Sequence, residues 1–123
     1  MFVQFNPSPV DARVGDCTVR ALSKALCENW ETVYLMLCVQ GYAMFDMPNA
    51  TPVVDAVLRR NGFVRGVVDN TCPDCYTVGR FAKDHPTGTY VVGTGNHIVT
   101  IVDGDLYDTW DSSEEIPIYF WHK

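Results

Sequence analysis

Cys17 has the residue type and the position that a nucleophilic thiol needs. It follows Gly15-Asp16 and precedes a stretch in which apolar residues recur at helical spacing, so it is predicted to lie in the first turn of a helix. The dipole and the exposed amides of a helix start stabilise a thiolate, which is the form that attacks a carbonyl carbon. The same amides could donate to a developing oxyanion. Taken alone, the position of Cys17 favours a small buried apolar residue, as most cysteines are.

His97 is the candidate general base. It stands in front of the apolar run 98–102 and follows Gly95-Asn96, a composition typical of a loop end, where active groups are often found. An imidazole at the mouth of a buried strand requires a hydrogen-bond partner. A structural histidine that has such a partner is the alternative interpretation of this residue alone.

Asp108 is the candidate that orients the histidine. Asp103-Gly104 lies between two strand-like runs, which predicts a two-residue hairpin turn. With that turn, Val99 falls opposite Asp108, on the face of the sheet that also carries His97. Asp108 is then a diagonal neighbour of the histidine at about 7–8 Å between backbones, a gap that side chains can bridge. A bulge or a three-residue loop would favour Asp111 instead.

Three segments of the chain resemble the papain-like cysteine peptidase superfamily: residues 15–21, 97–104 and 106–108. In that superfamily a cysteine on a helix precedes a histidine on a strand, and an Asp or Asn on the next strand orients the histidine. Within that superfamily it resembles the leader-cleaving peptidase domains of bacteriocin exporters and small phage and prophage proteins. The resemblance implies a papain-like domain in which Cys17, His97 and Asp108 cleave a peptide or isopeptide bond through a thioester.

The oxyanion hole departs from this resemblance. Relatives carry a glutamine shortly before the cysteine, whereas this chain has Asp11 at that place. An ionised carboxylate repels an oxyanion, so Gln4 and Asn6 are the candidates to donate instead if the loop folds back. Without such a donor only the amide of Cys17 remains. The alternative function is therefore a papain-like binding module with weak or absent catalysis, such as a phage accessory protein that acts on a host component.

Helical patterns precede most of the strand patterns. Helices are predicted from Asp16, whose carboxylate is expected to cap the first turn, from Asn29 to Gly41, from Thr51-Pro52 to Asn61-Gly62, and over 76–83. Strand patterns occupy residues 2–5, 63–68, 89–92, 97–102, 106–110 and 116–121. This order predicts an α+β domain with N-terminal helices packed on a C-terminal antiparallel sheet.

The composition is that of an ordinary folded domain. The 123 residues suit one domain spanning 1–123, with 47% hydrophobic and 20% charged residues. The net charge of -6 disfavours nonspecific binding to nucleic acid or to an anionic membrane. There is no signal-peptide pattern and no run near the ~20 apolar residues that span a bilayer. We therefore expect a cytoplasmic protein that acts on a peptide or protein substrate without a cofactor.

The five cysteines leave one further motif to interpret. Cys72-Pro73-Asp74-Cys75 is half of a zinc site or a redox pair, but no regular spacing to His85, Cys27 or Cys38 completes a ligand set. A solvent-exposed loop is the favoured interpretation, and no metal is predicted. The odd cysteine count without a secretion signal argues against a disulfide framework.

Overall fold

The computed structural model describes residues 1–11, 14–69 and 71–123, and these ranges contain four helices and six strands. In chain order the elements are β1 (Phe2–Gln4), α1 (Cys17–Leu26), α2 (Trp30–Met44), α3 (Thr51–Arg60), β2 (Val64–Val67), α4 (Val78–Asp84), β3 (Thr89–Gly93), β4 (Ile98–Val102), β5 (Asp105–Asp108) and β6 (Tyr119–His122). None of the helices in the described ranges has the length and apolar content needed to cross a membrane.

The strands of the described ranges form one mixed sheet in the order β1-β5-β4-β3-β6-β2. Neighbours within β5-β4-β3-β6-β2 are antiparallel, whereas β1 runs parallel to β5 at the edge. The α+β class is therefore confirmed. The sheet is mixed and includes β1 from the start of the chain, whereas an antiparallel C-terminal sheet was predicted. A parallel pair requires a long crossover, and the helices and strands between β1 and β5 supply it. The pairing of a three-residue strand leaves no signal in a sequence pattern.

The β4–β5 hairpin has the predicted turn. Asp103 and Gly104 both have positive φ, 49° and 82°, as a two-residue turn of type I′ requires. The pairing begins with Val102 opposite Asp105 and continues without a bulge. The predicted hairpin register is thus confirmed.

Helices cover both faces of the sheet. Adjacent strand residues point to opposite sides, and both sides carry apolar side chains that the helices bury. Val91 and Ile98 join the core cluster of α1, α2 and α3, whereas Val92 and Val99 join the cluster formed by α4. A hydrogen bond of 2.6 Å from Thr100 Oγ1 to the Ala21 carbonyl ties α1 directly to β4. The middle of α1 is thereby fixed against the middle of β4.

The ends of α2 show one success and one error of the sequence interpretation. Asn29 caps the helix as predicted, since its side chain accepts from the Thr32 amide at 2.8 Å. Gly41 does not end the helix, which continues to Met44. Gly41 is buried, and a Cβ there would lie 2.8 Å from the Asp46 carbonyl. A close approach of the chain that follows the helix, rather than termination, requires glycine at this position.

Gly93 at the end of β3 accommodates an aromatic ring of the neighbouring strand. A Cβ at Gly93 would collide with the ring of Tyr119 on β6. We expect Gly93→Ala to lower the free energy of unfolding by roughly 1–3 kcal/mol, as overpacking in a core does. Chemical denaturation checks this. Gly95→Ala is the matched control, because its nearest neighbour would be Ile118 Cδ1 at 4.0 Å. Equal stability of the two variants would contradict the packing described.

Candidate active site

Cys17 is the first residue of α1 and is half-buried. Asp16 occupies the N-cap position, but its carboxylate makes no capping hydrogen bond, so that prediction is wrong. The carboxylate pairs with Arg20 one turn along the helix and accepts from Trp30 Nε1 at 3.0 Å. These side-chain donors hold the carboxylate away from the first-turn amides, which remain next to the thiol.

His97 is delivered by the loop between β3 and β4. The Thr94 amide donates to the His97 carbonyl at 2.8 Å and closes that loop. The imidazole packs against the indole of Trp110 with 4.8 Å between ring centroids. His97 Nε2 donates to Asp108 Oδ2 at 2.6 Å, so the predicted neighbour of the histidine is in contact with it.

Asp108 is the buried hub of the site, with 2% of its side chain exposed. Besides His97, its carboxylate accepts from Ser112 Oγ at 2.8 Å, from the Thr109 amide at 2.7 Å and from Arg20 Nη2 at 3.3 Å. Burial raises the pKa of this carboxyl, but the hydrogen bonds from His97 and Ser112 and the imidazole charge lower it further, so the pKa lies below its usual value.

The alternation of side chains along a strand does not by itself explain how His97 and Asp108 reach α1. Val99, which shares their predicted face, packs in the α4 cluster, whereas His97 and Asp108 contact residues of α1. His97 precedes the first residue of β4, and Asp108 is the last residue of β5. Residues at the ends of strands need not follow the alternation that directs Val99 towards α4. The side chains of His97 and Asp108 can therefore turn towards α1.

Cys17 and His97 are hydrogen-bonded to each other through their side chains. Burial raises the pKa of the Cys17 thiol, but the bond and charge of His97, the Ile98 amide and the charge of Arg20 outweigh it, so the pKa is lowered. Burial lowers the pKa of His97, yet its bonds to Asp108 and Cys17 raise it to about 9. The two shifts therefore favour a thiolate beside an imidazolium. Since Nε2 is bonded to Asp108, Nδ1 is the nitrogen left to interact with the sulfur.

Two clefts meet at the thiol, and both are lined by Cys17, Asn96 and His97. The larger has a volume of about 730 Å³ and is also lined by Trp110. The smaller has a volume of about 190 Å³ and reaches towards Tyr119 and Trp121. An extended chain that crosses Cys17 would occupy both.

The oxyanion candidates lie in the larger cleft with Cys17, as do Asp11 and Arg20. Asn6 Nδ2 donates to Asp11 Oδ1 at 2.9 Å, so the amide of Asn6 is already engaged. Gln4, the last residue of β1, is exposed and makes no side-chain hydrogen bond to the described residues. Of the two candidates, Gln4 is the one whose amide remains available to a ligand.

Arg20 and Ser112 are site residues to which the sequence analysis assigned no role. Ser112 is 1% exposed, but a serine in an acidic loop carries no sequence signal. Arg20 did carry one, because a cation four residues after Asp16 has the spacing of an ion pair along a helix. Asp111, the alternative partner for the histidine, instead accepts from the Ser113 amide and lines a different pocket.

The Cys72–Cys75 segment lies outside this site. The structure joins the two residues in a disulfide in an exposed stretch before α4, so a plain loop was an incomplete interpretation. Cys17, Cys27 and Cys38 are free. Within the described residues no group of three or more His, Cys, Asp or Glu side chains could hold a metal ion.

Known proteins add no functional information to this geometry. Comparison of the chain with protein-family models, with curated proteins and with solved structures finds no match. The roles of Cys17, His97 and Asp108 therefore have to be argued from their contacts and charges.

The thiol of Cys17 should titrate below the ordinary value of about 8.5. The pH dependence of iodoacetamide labelling, resolved by peptide mapping, measures it, and exposed Cys27 in the same sample serves as the internal reference. His97→Gln should raise the Cys17 midpoint, because burial then acts without the bond and the charge that oppose it. A wild-type midpoint at or above the ordinary value, or one that His97→Gln leaves unchanged, would show that Cys17 is a structural cysteine.

Proposed function

We propose that this protein is a cysteine hydrolase that cleaves a peptide or isopeptide bond, with Cys17 as nucleophile, His97 as acid and base, and Asp108 as the group that orients the histidine. The observation that carries the proposal is the double engagement of His97, which contacts the thiol with one nitrogen and a buried carboxylate with the other. A nucleophile, a base and an orienting group in contact are the geometric signature of covalent acyl transfer.

In the first half of the reaction the Cys17 thiolate attacks the carbonyl carbon. A carbon–sulfur bond forms, and the carbonyl π electrons move to the oxygen, which becomes an oxyanion. When the oxyanion collapses, the carbon–nitrogen bond breaks and the His97 imidazolium gives its proton to the leaving amine. The products are a free amine, a neutral imidazole and a thioester on Cys17.

In the second half water replaces the amine. Neutral His97 takes a proton from water as its oxygen attacks the thioester carbon, and collapse of the second oxyanion releases a carboxylic acid and restores the thiolate and the imidazolium. Asp108 stays ionised throughout and stabilises the imidazolium. The same groups serve an amidase, or a transferase in which an amine takes the place of water.

The oxyanion needs hydrogen-bond donors beside the sulfur. The backbone amide of Cys17 at the start of α1 supplies one, and the helix dipole adds to it. Gln4 supplies the second, because its free amide shares the larger cleft with the thiol. Asp11, which occupies the place of the relatives' glutamine, is bonded to Asn6 rather than aimed alone at the oxyanion.

The hydrogen bond between Asn6 and Asp11 is also the observation that favours the second candidate, a papain-like binding module. Asp11 puts a carboxylate in the wall of the larger cleft and engages the amide of Asn6. Loss of one oxyanion donor lowers a rate by ~10²–10³-fold. A cleft with that deficit would bind a partner, such as a host component, without turning it over.

Hydrolysis should depend on each member of the triad. With a diverse peptide library read by mass spectrometry, wild-type protein should generate new termini at defined bonds, and Cys17→Ala should generate none. Asp108→Asn should lower the rate by ~10²-fold or more, since the histidine loses both its orientation and its stabilising charge.

Cys27→Ser is the matched control, because Cys27 is a free, exposed thiol at the other end of α1 and should leave the rate unchanged. A rate equal to wild type in Cys17→Ala would reject the hydrolase. Peptides that bind but are never cleaved by wild-type protein would identify the binding module.

The pH dependence of hydrolysis should be bell-shaped. The active form has an ionised thiol and a protonated imidazole. The rate should rise with pH through the lowered Cys17 pKa and fall through about 9, where His97 loses its proton. Initial rates of the best library substrate, measured from pH 4 to 10, check both limbs. A rate that keeps rising above pH 9 would contradict the role of the imidazolium as the acid.

A further inference from the structure

Arg20 is a buried cation that the proposed reaction does not use. It lies on α1 one turn after Cys17, and only 8% of the residue is exposed. One guanidinium nitrogen pairs with Asp16, and another lies 3.3 Å from Asp108 Oδ1. Its Nε has no hydrogen-bond partner among the described residues. Arginine is expensive to bury, so two carboxylate partners at this depth indicate a specific role.

Asp16 is the second buried group without a part in the reaction. It is 7% exposed and precedes the nucleophile directly in the chain. An aspartate at this position normally accepts from the first-turn amides of its helix. Here Arg20 and the Trp30 indole take both of its oxygens. The first-turn amides are thus left to the thiol and the cleft.

We infer that Arg20 is a positioning residue that holds the Asp16 carboxylate off the first turn of α1 and at the same time fixes Asp108 behind His97. The inference rests on the proposed function and adds the device that keeps the helix start open for a thiolate and an oxyanion. Arg20 also lines the larger cleft, and its charge contributes to the lowered pKa of Cys17, but its hydrogen bonds go to Asp16 and Asp108. Its positioning role is exerted through these two partners.

The order of charges around the site supports this role. From Asp16 through Arg20, Asp108 and His97 to Cys17, negative and positive groups alternate, and each contacts the next. Removal of Arg20 would leave two buried carboxylates with a single cation, His97, between them and the thiolate. A nearby unpaired carboxylate disfavours a second negative charge. The freed Asp16 would also compete with the oxyanion for the first-turn amides.

The test is the alkylation midpoint of Cys17 in four variants: Arg20→Met, Arg20→Lys, Asp16→Asn and the Asp16→Asn/Arg20→Met double variant. Arg20→Met should raise the midpoint, and a rise of one pH unit slows labelling at pH 6 about tenfold. Arg20→Lys should restore part of it, because an ammonium keeps the charge but not the fork that spans two carboxylates. Asp16→Asn alone should not raise the midpoint. Added to Arg20→Met, it should bring the midpoint back down, since the unpaired carboxylate is gone.

Hydrolysis supplies a second readout. Arg20→Met should lower kcat about tenfold or more with a smaller change in KM, because the hydrogen bonds of Arg20 go to Asp16 and Asp108 although its side chain also lines the larger cleft. Circular dichroism and thermal melts establish that each variant is folded.

The results separate three cases. A folded Arg20→Met protein with a wild-type midpoint overturns the inference. Loss of a merely structural ion pair would lower the melting temperature without changing the alkylation midpoint of Cys17. If Arg20→Met does not fold, Arg20→Lys and Asp16→Asn decide: a raised midpoint in the lysine variant alone supports the inference, and unchanged midpoints in both overturn it. Alkylation of Cys17 needs no substrate. A wild-type protein that cleaves no peptide would reject the proposed hydrolase function, and the alkylation midpoints would still test the role of Arg20.

Discussion

The structure depends on keeping one buried carboxylate ionised. Asp108 is almost inaccessible to water, and a charge at that depth is tolerated only when hydrogen bonds and opposite charges replace its hydration. Its partners come from separate parts of the chain: Arg20 from α1, His97 from the mouth of β4 and Ser112 from the loop after β5. The hydrogen bonds to the Asp108 carboxylate therefore fix the position of α1 against the β4–β5 hairpin. Cys17 is carried to His97 by the same docking, because it lies one turn before Arg20 on a rigid helix.

Much of the fold was readable from the sequence where the determinant is local. The β4–β5 register follows from two residues that accept positive φ, and the start of α2 follows from one asparagine side chain. The parallel pairing of β1 was not readable, because it depends on a partner about a hundred residues away. Gly41 misled for a different reason. The glycine accommodates the close approach of the Asp46 carbonyl just after the helix, and a glycine in that role looks the same in sequence as one that ends a helix.

In the site, too, the features set by local sequence were predictable and those set by tertiary contacts were not. The contact of His97 with Asp108 was predictable because both residues belong to one hairpin, and the place of Cys17 followed from the helix start that precedes it. The behaviour of Asp16 was not predictable. A capping aspartate is the local optimum, and only the tertiary presence of the Trp30 indole, together with a cation that also serves Asp108, draws its carboxylate aside. The local rule failed where three elements converge on the site.

Burial, rather than the number of carboxylates, decides whether this acidic chain can hold a thiolate. The net charge of -6 is spread over a surface where water and salt screen interactions beyond ~8–10 Å. Asp11 belongs to that class, since it is exposed and hydrogen-bonded, and its charge reaches the thiol weakened by solvent. Asp16 does not, because it is buried beside Cys17 in a low-dielectric setting where an unopposed charge acts at nearly full strength. A cation is needed only at the second position, and that is where Arg20 lies.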